Sequence, residues 1–213
     1  TGFSLSGSYL GVYGIEVAGS DISYSNGAYL AVWRCYVHDH PAGQGIGAAG
    51  NNSHVSNVSC CFNLVHTTSR DNVWATSNIS FYHFTNAIGS QNHDWVNGYD
   101  NLVIGNITHH GSQGPGTPQS DGNGIIIDDM QCLQNYGSDH SGINYRGNWL
   151  IMGNLAVANG PTAGAGVHCF QTDFVDMCFN TAAANNSVAM DMNAGAGQGV
   201  RGDIYANLTW QTN

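Results

Sequence analysis

In the stretch QSDGNGIIIDDMQ, Asp121, Asp128 and Asp129 bracket a run of three isoleucines. Carboxylates this close together can ligate a cation such as Ca2+ or act as general acid or base; a pair held roughly 5 to 10 Å apart can hydrolyse a glycosidic bond. The same residues also end strands. An aspartate before Gly-Asn-Gly forms turns, and one just after a strand can accept backbone amides. Turn chemistry is therefore the first expectation for Asp121 and Asp129, whereas Asp128, inside the strand pattern, is the carboxylate expected to face outward. Further polar candidates, His93, Asp94, His109, His110, Asp139, His140 and Arg146, lie in the longest insertions, residues 85–100, 109–121 and 130–146. Histidine pairs in polar loops are ordinarily solvated, so no metal site is expected at His109 and His110.

The elements that must hold these residues are legible as repeats. Apolar residues at i and i+2, a small or amide residue at i+5 and an apolar or small one at i+7 recur along the chain: Leu10, Val12, Ile15, Val17; Leu30, Val32, Cys35, Val37; Val58, Cys60, Asn63, Val65; Trp149, Ile151, Asn154, Ala156; Val175, Met177, Asn180, Ala182. Degenerate copies end in Asn106, Thr108 and in Asn207, Thr209, for about seven in all. A second short strand separates successive copies, as in GIGAAG, NISFYHF, GIIIDD, GVHCFQ and SVAMDM. A spacing of two marks strands, and the jump from i+2 to i+5 marks a bend between two of them. Units that cannot bury their own apolar face must stack, so the pattern predicts a single solenoid domain of parallel strands over residues 1–213.

Asparagine at i+5 then has a physical reason. Stacked about 4.8 Å apart at one bend, the amides of Asn63, Asn106, Asn154, Asn180 and Asn207 can bond to each other and to backbone as a ladder. Alternation in the other strands turns Ile125 and Ile127 inward and Ile126 and Asp128 outward. Aligning those strands predicts an outward column of Tyr82, Asp128, Phe170 and Asp191, beside a column of Ser80, Ile126, His168 and Ala189. An aromatic ring suits stacking on a sugar, and a carboxylate can ligate Ca2+ or serve as acid or base.

The ladder, with YVHDHPAGQGIGAAG, SDGNGIIIDD and GAGVHCFQTDFVDMCFNTAAANN, resembles bacterial right-handed parallel β-helix repeat proteins of the pectate-lyase-like superfamily. The resemblance implies an all-β, right-handed parallel β-helix of about seven rungs, and it implies that the outer strand face is where its enzymes bind sugar chains, which would make Tyr82, Phe170 and Asp191 substrate-binding candidates and Asp121, Asp128, Asp129, Arg146 and His168 catalytic ones. It leaves activity open, since the superfamily includes lyases, hydrolases, epimerases and non-catalytic surface proteins. Relatives usually carry an N-terminal cap, whereas this chain starts almost at once with GFSLSG and stops within GDIYANLTWQTN. The lysine base of one lyase family would fall near Ile126, and no lysine is present.

Composition sets the remaining expectations. Arg34, Arg70, Arg146 and Arg201 are the only basic side chains apart from histidines, and the formal net charge is -10. Without a basic cluster, nucleic acid and anionic membranes are not expected partners. No apolar run approaches membrane-spanning length, so no insertion is expected. Six cysteines lack the paired spacing of a zinc site. Sequons at Asn51, Asn57, Asn78, Asn106, Asn185 and Asn207 suggest secretion. The ladder asparagines 106 and 207 should be bare, whereas Asn51, Asn57, Asn78 and Asn185 are expected to project into water. The leading expectation is an extracellular or cell-surface (glyco)protein that lacks caps and stacks end to end on copies of itself into a fibre. The alternative is a carbohydrate-active enzyme, lyase or hydrolase, acting on an acidic polysaccharide along the outer face, with Ca2+ as the one cofactor considered.

Overall fold

The computed structural model describes residues 2–49, 55–68, 77–82, 99, 101–111, 122–128, 149–160, 164–170, 172–185, 188–193 and 201–211. Among these the protein is all-β, and every strand pairing is parallel. One sheet has thirteen strands and the other seven. The larger sheet is two series joined through the long strand Ile22–Trp33. The N-terminal part of that strand pairs with Phe3–Ser6 and Ile46–Ala49, and its C-terminal part with Gly11–Tyr13 and Val55–Cys61. The chain visits the first series, the second series and the seven-stranded third sheet in turn. Ile125–Asp128, Trp149–Met152 and Leu155–Val157 make one such circuit, and Val167–Phe170 returns beside Ile125–Asp128.

Alternation does what the pattern predicts. Ile79, Ile125 and Val167 align inward, as do Phe81, Ile127 and Cys169, all without exposure. Tyr24, Phe81 and Trp149 pack as a tilted chain of rings, with centroids 5.6 and 5.1 Å apart, and the Tyr24 hydroxyl donates to the Ser59 carbonyl at 2.8 Å. A buried phenol needs such an acceptor. Leu10, expected inside, is 40% exposed, because it stacks on the second circuit from one side only. Asn101 takes an inward place between Val58 and Trp149, where its Oδ1 accepts the Val58 amide at 3.2 Å.

The bends leading into the third sheet use a residue of positive φ followed by an inward side chain. Arg34, Phe62, Gly105, Gly153, Phe179 and Ala206 take the first role, at φ between 52° and 66°. Asparagine fills the second. The Nδ2 of Asn63 donates to Asn106, that of Asn106 to Asn154, that of Asn154 to Asn180 and that of Asn180 to Asn207, all at 2.9–3.0 Å. Each accepting Oδ1 also takes the backbone N–H of the preceding asparagine. At one end Cys35 keeps the pattern, with its N–H on Asn63 Oδ1 at 2.9 Å.

A second ladder runs along the bends that leave the third sheet. Asn159 donates to Asn185 at 3.0 Å, and Asn185 to the Ala156 carbonyl at 3.0 Å. The next place along is Gly111, which has no side chain; there Asn78 enters from the first series, donates to Asn159 at 3.0 Å and accepts from Thr68 at 2.8 Å. Asn78 and Asn185 are therefore buried rather than water-facing, which corrects the expectation for those two sequons. A sugar on either amide would consume a ladder donor and place a polar bulk in a packed bend. Expression through a glycosylating secretory pathway is expected to leave Asn78, Asn106, Asn185 and Asn207 bare and to put any glycan on the half-exposed Asn57, or on Asn51, which lies outside the described residues. Site-resolved mass spectrometry checks this, and glycan on Asn185 would contradict the second ladder.

Candidate functional site

The outer face of the first series carries the candidate residues. Parallel pairing aligns Ser80, Ile126, His168 and Asp191 in one column and Tyr82, Asp128, Phe170 and Asn193 in the next. Asp191 thus stands with His168 rather than with Phe170, two residues from its expected register, because Met190 and Met192 take the inward places beside Val167 and Cys169. The structure thereby joins two candidates. The Nδ1 of His168 is hydrogen-bonded to the Asp191 carboxylate, and the imidazole lies nearly parallel to the Phe170 ring, centroids 5.9 Å apart at 15°.

Asp128 sits in the Tyr82–Phe170 column and is half-buried. Ile126, expected on an open face, is only 4% exposed, and Ser80 beside it is also buried. Among the described residues, the candidates His168 and Asp191 keep accessible polar groups on this face, with side chains 18% and 31% exposed. Beneath them the Cys169 thiol is held well above its usual range, first by burial and then by the charges of Asp191 and Asp128. Asp121, Asp129 and Arg146 lie outside the described residues, as do His93, Asp94, Asp139 and His140.

Chemically, a histidine whose Nδ1 is engaged by a carboxylate is fixed in orientation and presents Nε2 outward, the arrangement of a general base. Among the described residues no three His, Cys, Asp or Glu side chains converge as a metal site, so the Ca2+ considered for the enzyme alternative gains no ligand set there. The five described cysteines are free and buried.

A second cluster, unforeseen from the sequence, crosses the third sheet. His38, His66 and His109 occupy one register position on successive strands. Their rings stack with centroids 5.4 and 4.4 Å apart, and Tyr36 stacks on His38 at 4.3 Å. Its signal was present in YVH, LVH and ITH, where histidine follows the last patterned position three times running. His38 bonds to Asp39 at 2.7 Å and Glu16 at 3.1 Å; His66 bonds to the Tyr36 hydroxyl and Thr67, and His109 to His110, each at 2.8 Å.

These neighbours split the titrations. The hydrogen bond that His38 donates to Asp39 raises His38, while burial and then the neighbouring imidazoles lower His66 and His109. A histidine lowered on folding contributes stability that is complete above its unfolded value of about 6.5 and is lost as pH falls from there towards the folded value. His38 does the reverse: its contribution is present below about 6.5 and fades as pH rises through its folded value. Two groups of the first kind against one of the second predict weaker resistance to unfolding at pH 5.5 than at pH 7.5. Replacing His66 with phenylalanine, which keeps a ring in the stack, should flatten that slope. Denaturant midpoints across the range, with NMR titration of the three imidazoles, provide the check; an unchanged slope would contradict the assignment.

No protein-family model matches the chain, and no curated protein matches it.

Proposed function

We propose that the chain is a right-handed parallel β-helix of about seven rungs, of the pectate-lyase-like kind, and that it is a carbohydrate-active enzyme. It acts on an acidic polysaccharide along the outer face of the first series, outside the cell or at its surface. The observation that carries this is the His168–Asp191 pair beside Phe170, with Asp128 in the adjoining column. With no lysine in the chain, histidine is the side chain best suited to remove a proton near neutral pH. In the step proposed, His168 takes the proton on the carbon α to a uronate carboxylate. The C–H electrons form the carbon–carbon double bond, the glycosidic C–O bond breaks, and the departing oxygen takes a proton from solvent. Phe170 offers an apolar surface for a sugar ring. Arg146, the catalytic candidate of the 130–146 insertion, lies outside the described residues.

Incubation with polyuronates, followed by ultraviolet absorbance of unsaturated ends and by reducing-end release, tests the reading. Absorbance rising with reducing ends supports elimination; reducing ends without absorbance mean hydrolysis by the carboxylates, and neither means no lytic activity.

The structural reading, a subunit that stacks on copies of itself into a surface fibre, is second. Outward Ile107, Leu208 and Trp210 leave exposed apolar surface on the third sheet, which favours contact between copies. Electron microscopy of the native protein separates the two: fibres favour this reading, dispersed monomers the enzyme.

A further inference from the structure

The second series carries a different kind of surface on its outer face. Gly11, Ala31 and Ser59 align outward as a strip of small side chains. One edge of the strip is raised by Tyr9 and Tyr29, each in the left-handed region at φ 60° and 58°, with rings stacked at 4.8 Å and 5°. Tyr13 and Trp33, paired in register two places beyond Gly11 and Ala31, raise the other edge. Tyr9 is 79% exposed, Tyr29 53% and Trp33 44%. Trp33 lies four positions beyond Tyr29, so the edges stand about 13 Å apart at the strand rise. Arg34 flanks the second edge, its Nη1 donating to the Tyr13 hydroxyl at 3.1 Å and its guanidinium 5.9 Å from that ring's centroid.

Aromatic side chains of this size normally go inward; here several stand in water around a floor too small to cover them. Tyrosine and tryptophan combine an apolar body with a hydrogen-bonding tip, which suits a ligand with apolar ring faces and hydroxyl edges. Arg34 forms no ion pair among the described residues. A guanidinium oriented by a tyrosine matches a carboxylate by charge and by fork geometry.

We propose that this trough is a non-catalytic binding surface for a uronate-bearing glycan, which lies along the small-residue floor between the two aromatic edges with a carboxylate on Arg34. It shares with the proposed function only the class of polymer and lies on a different face from His168 and Asp191. A surface of this kind would hold a polymeric substrate near the first series without taking part in its chemistry.

Titration calorimetry with an oligogalacturonate, and with a cello-oligosaccharide of equal length, tests it. The acidic oligosaccharide should bind, and Trp33→Ala or Tyr29→Ala should weaken it by about tenfold, the equivalent of one well-packed aromatic contact. Gly11→Trp covers the case in which those variants fold poorly: a Cβ at Gly11 meets only Ala31, at ordinary contact distances of 3.6 Å, so the new ring fills the floor without touching the core. It should abolish binding while leaving the unfolding midpoint unchanged. Arg34→Gln should remove the preference for the acidic over the neutral oligosaccharide. His168→Ala should leave this affinity intact, and a wild-type protein that shows no turnover of the polymer but keeps Trp33-dependent binding would sink the enzyme reading and not the trough. Unchanged affinity in both Trp33→Ala and Gly11→Trp, equal binding of the neutral oligosaccharide by the wild type, or self-association that these variants abolish would overturn the proposal.

Discussion

Asn106→Ala is expected to destabilise the protein by about 3–5 kcal/mol, a large part of the ~5–15 kcal/mol that holds a typical domain together. Asn106 is fully buried in the middle of the first ladder. Its Oδ1 accepts the backbone N–H and the Nδ2 of Asn63, both at 3.0 Å, and its own Nδ2 donates to the Cys60 carbonyl at 2.8 Å and to Asn154 Oδ1 at 3.0 Å. Alanine leaves the Asn63 N–H without an acceptor in a bend closed to water and removes a donor from two oxygens. Each orphaned buried group costs about 1–3 kcal/mol, and at least two are created. Asn106→Asp keeps the acceptor but loses the donor and buries a charge, so it should fare no better. Asn207→Ala is the internal comparison. Asn207 is half-exposed, and water can replace its partners, so the cost there should be about 1 kcal/mol. Urea unfolding with an unchanged slope measures all three, and an Asn106→Ala midpoint near the wild type would mean that the ladder orders the bend without stabilising it.

The first ladder was readable because it obeys a strict offset: the amide falls at i+5 of every copy that has one, and a bend repeats its geometry on each circuit. The second ladder keeps an offset only in part: Asn159 and Asn185 both fall at i+10, but the preceding copy has Gly111 there. Asn78 fills that place from another strand, reaching Asn159 across 81 positions, and no repeat spacing announces it. Asp191 illustrates a different limit. Alternation fixes which face a side chain takes, but a slip of two residues preserves every facing, so the hydrophobic pattern could not distinguish pairing with Phe170 from pairing with His168. Asp191 is outward in both alignments, and only the observed pairing of Val167–Phe170 with Met190–Asn193 decides between them. Ile126 shows a third limit, for its outward direction was correct while its near-complete burial depends on what covers the face. The histidine stack and the aromatic trough were in reach of the repeat, at i+8 and at i-1 and i+3; what hid them was that strand patterns are read for apolar spacing, and these are outward positions.

The slip that moved Asp191 also created the arrangement on which the second large effect depends. If His168 is the base, His168→Ala should lower kcat on a polyuronate by about 10²–10⁴, the usual contribution of a positioned proton acceptor, with KM little changed. Asp191→Asn should cost less. The amide can still bond to Nδ1, but without the negative charge it no longer favours the imidazolium formed on proton abstraction, and its orientation can select the wrong tautomer. Phe170→Ala should act the other way, raising KM with a smaller change in kcat, since stacking is shared by bound substrate and transition state. A loss of fold could imitate the first result, so free imidazole is the deciding reagent. The truncated side chain leaves room beside Asp191, and added imidazole should restore part of the turnover of His168→Ala while doing nothing for Phe170→Ala. Restored activity would tie the proton transfer to that position. A His168→Ala enzyme with wild-type kcat, or one that stays inactive with imidazole while its unfolding midpoint matches the wild type, would remove His168 from the chemistry and leave the outer face of the first series as a binding surface alone.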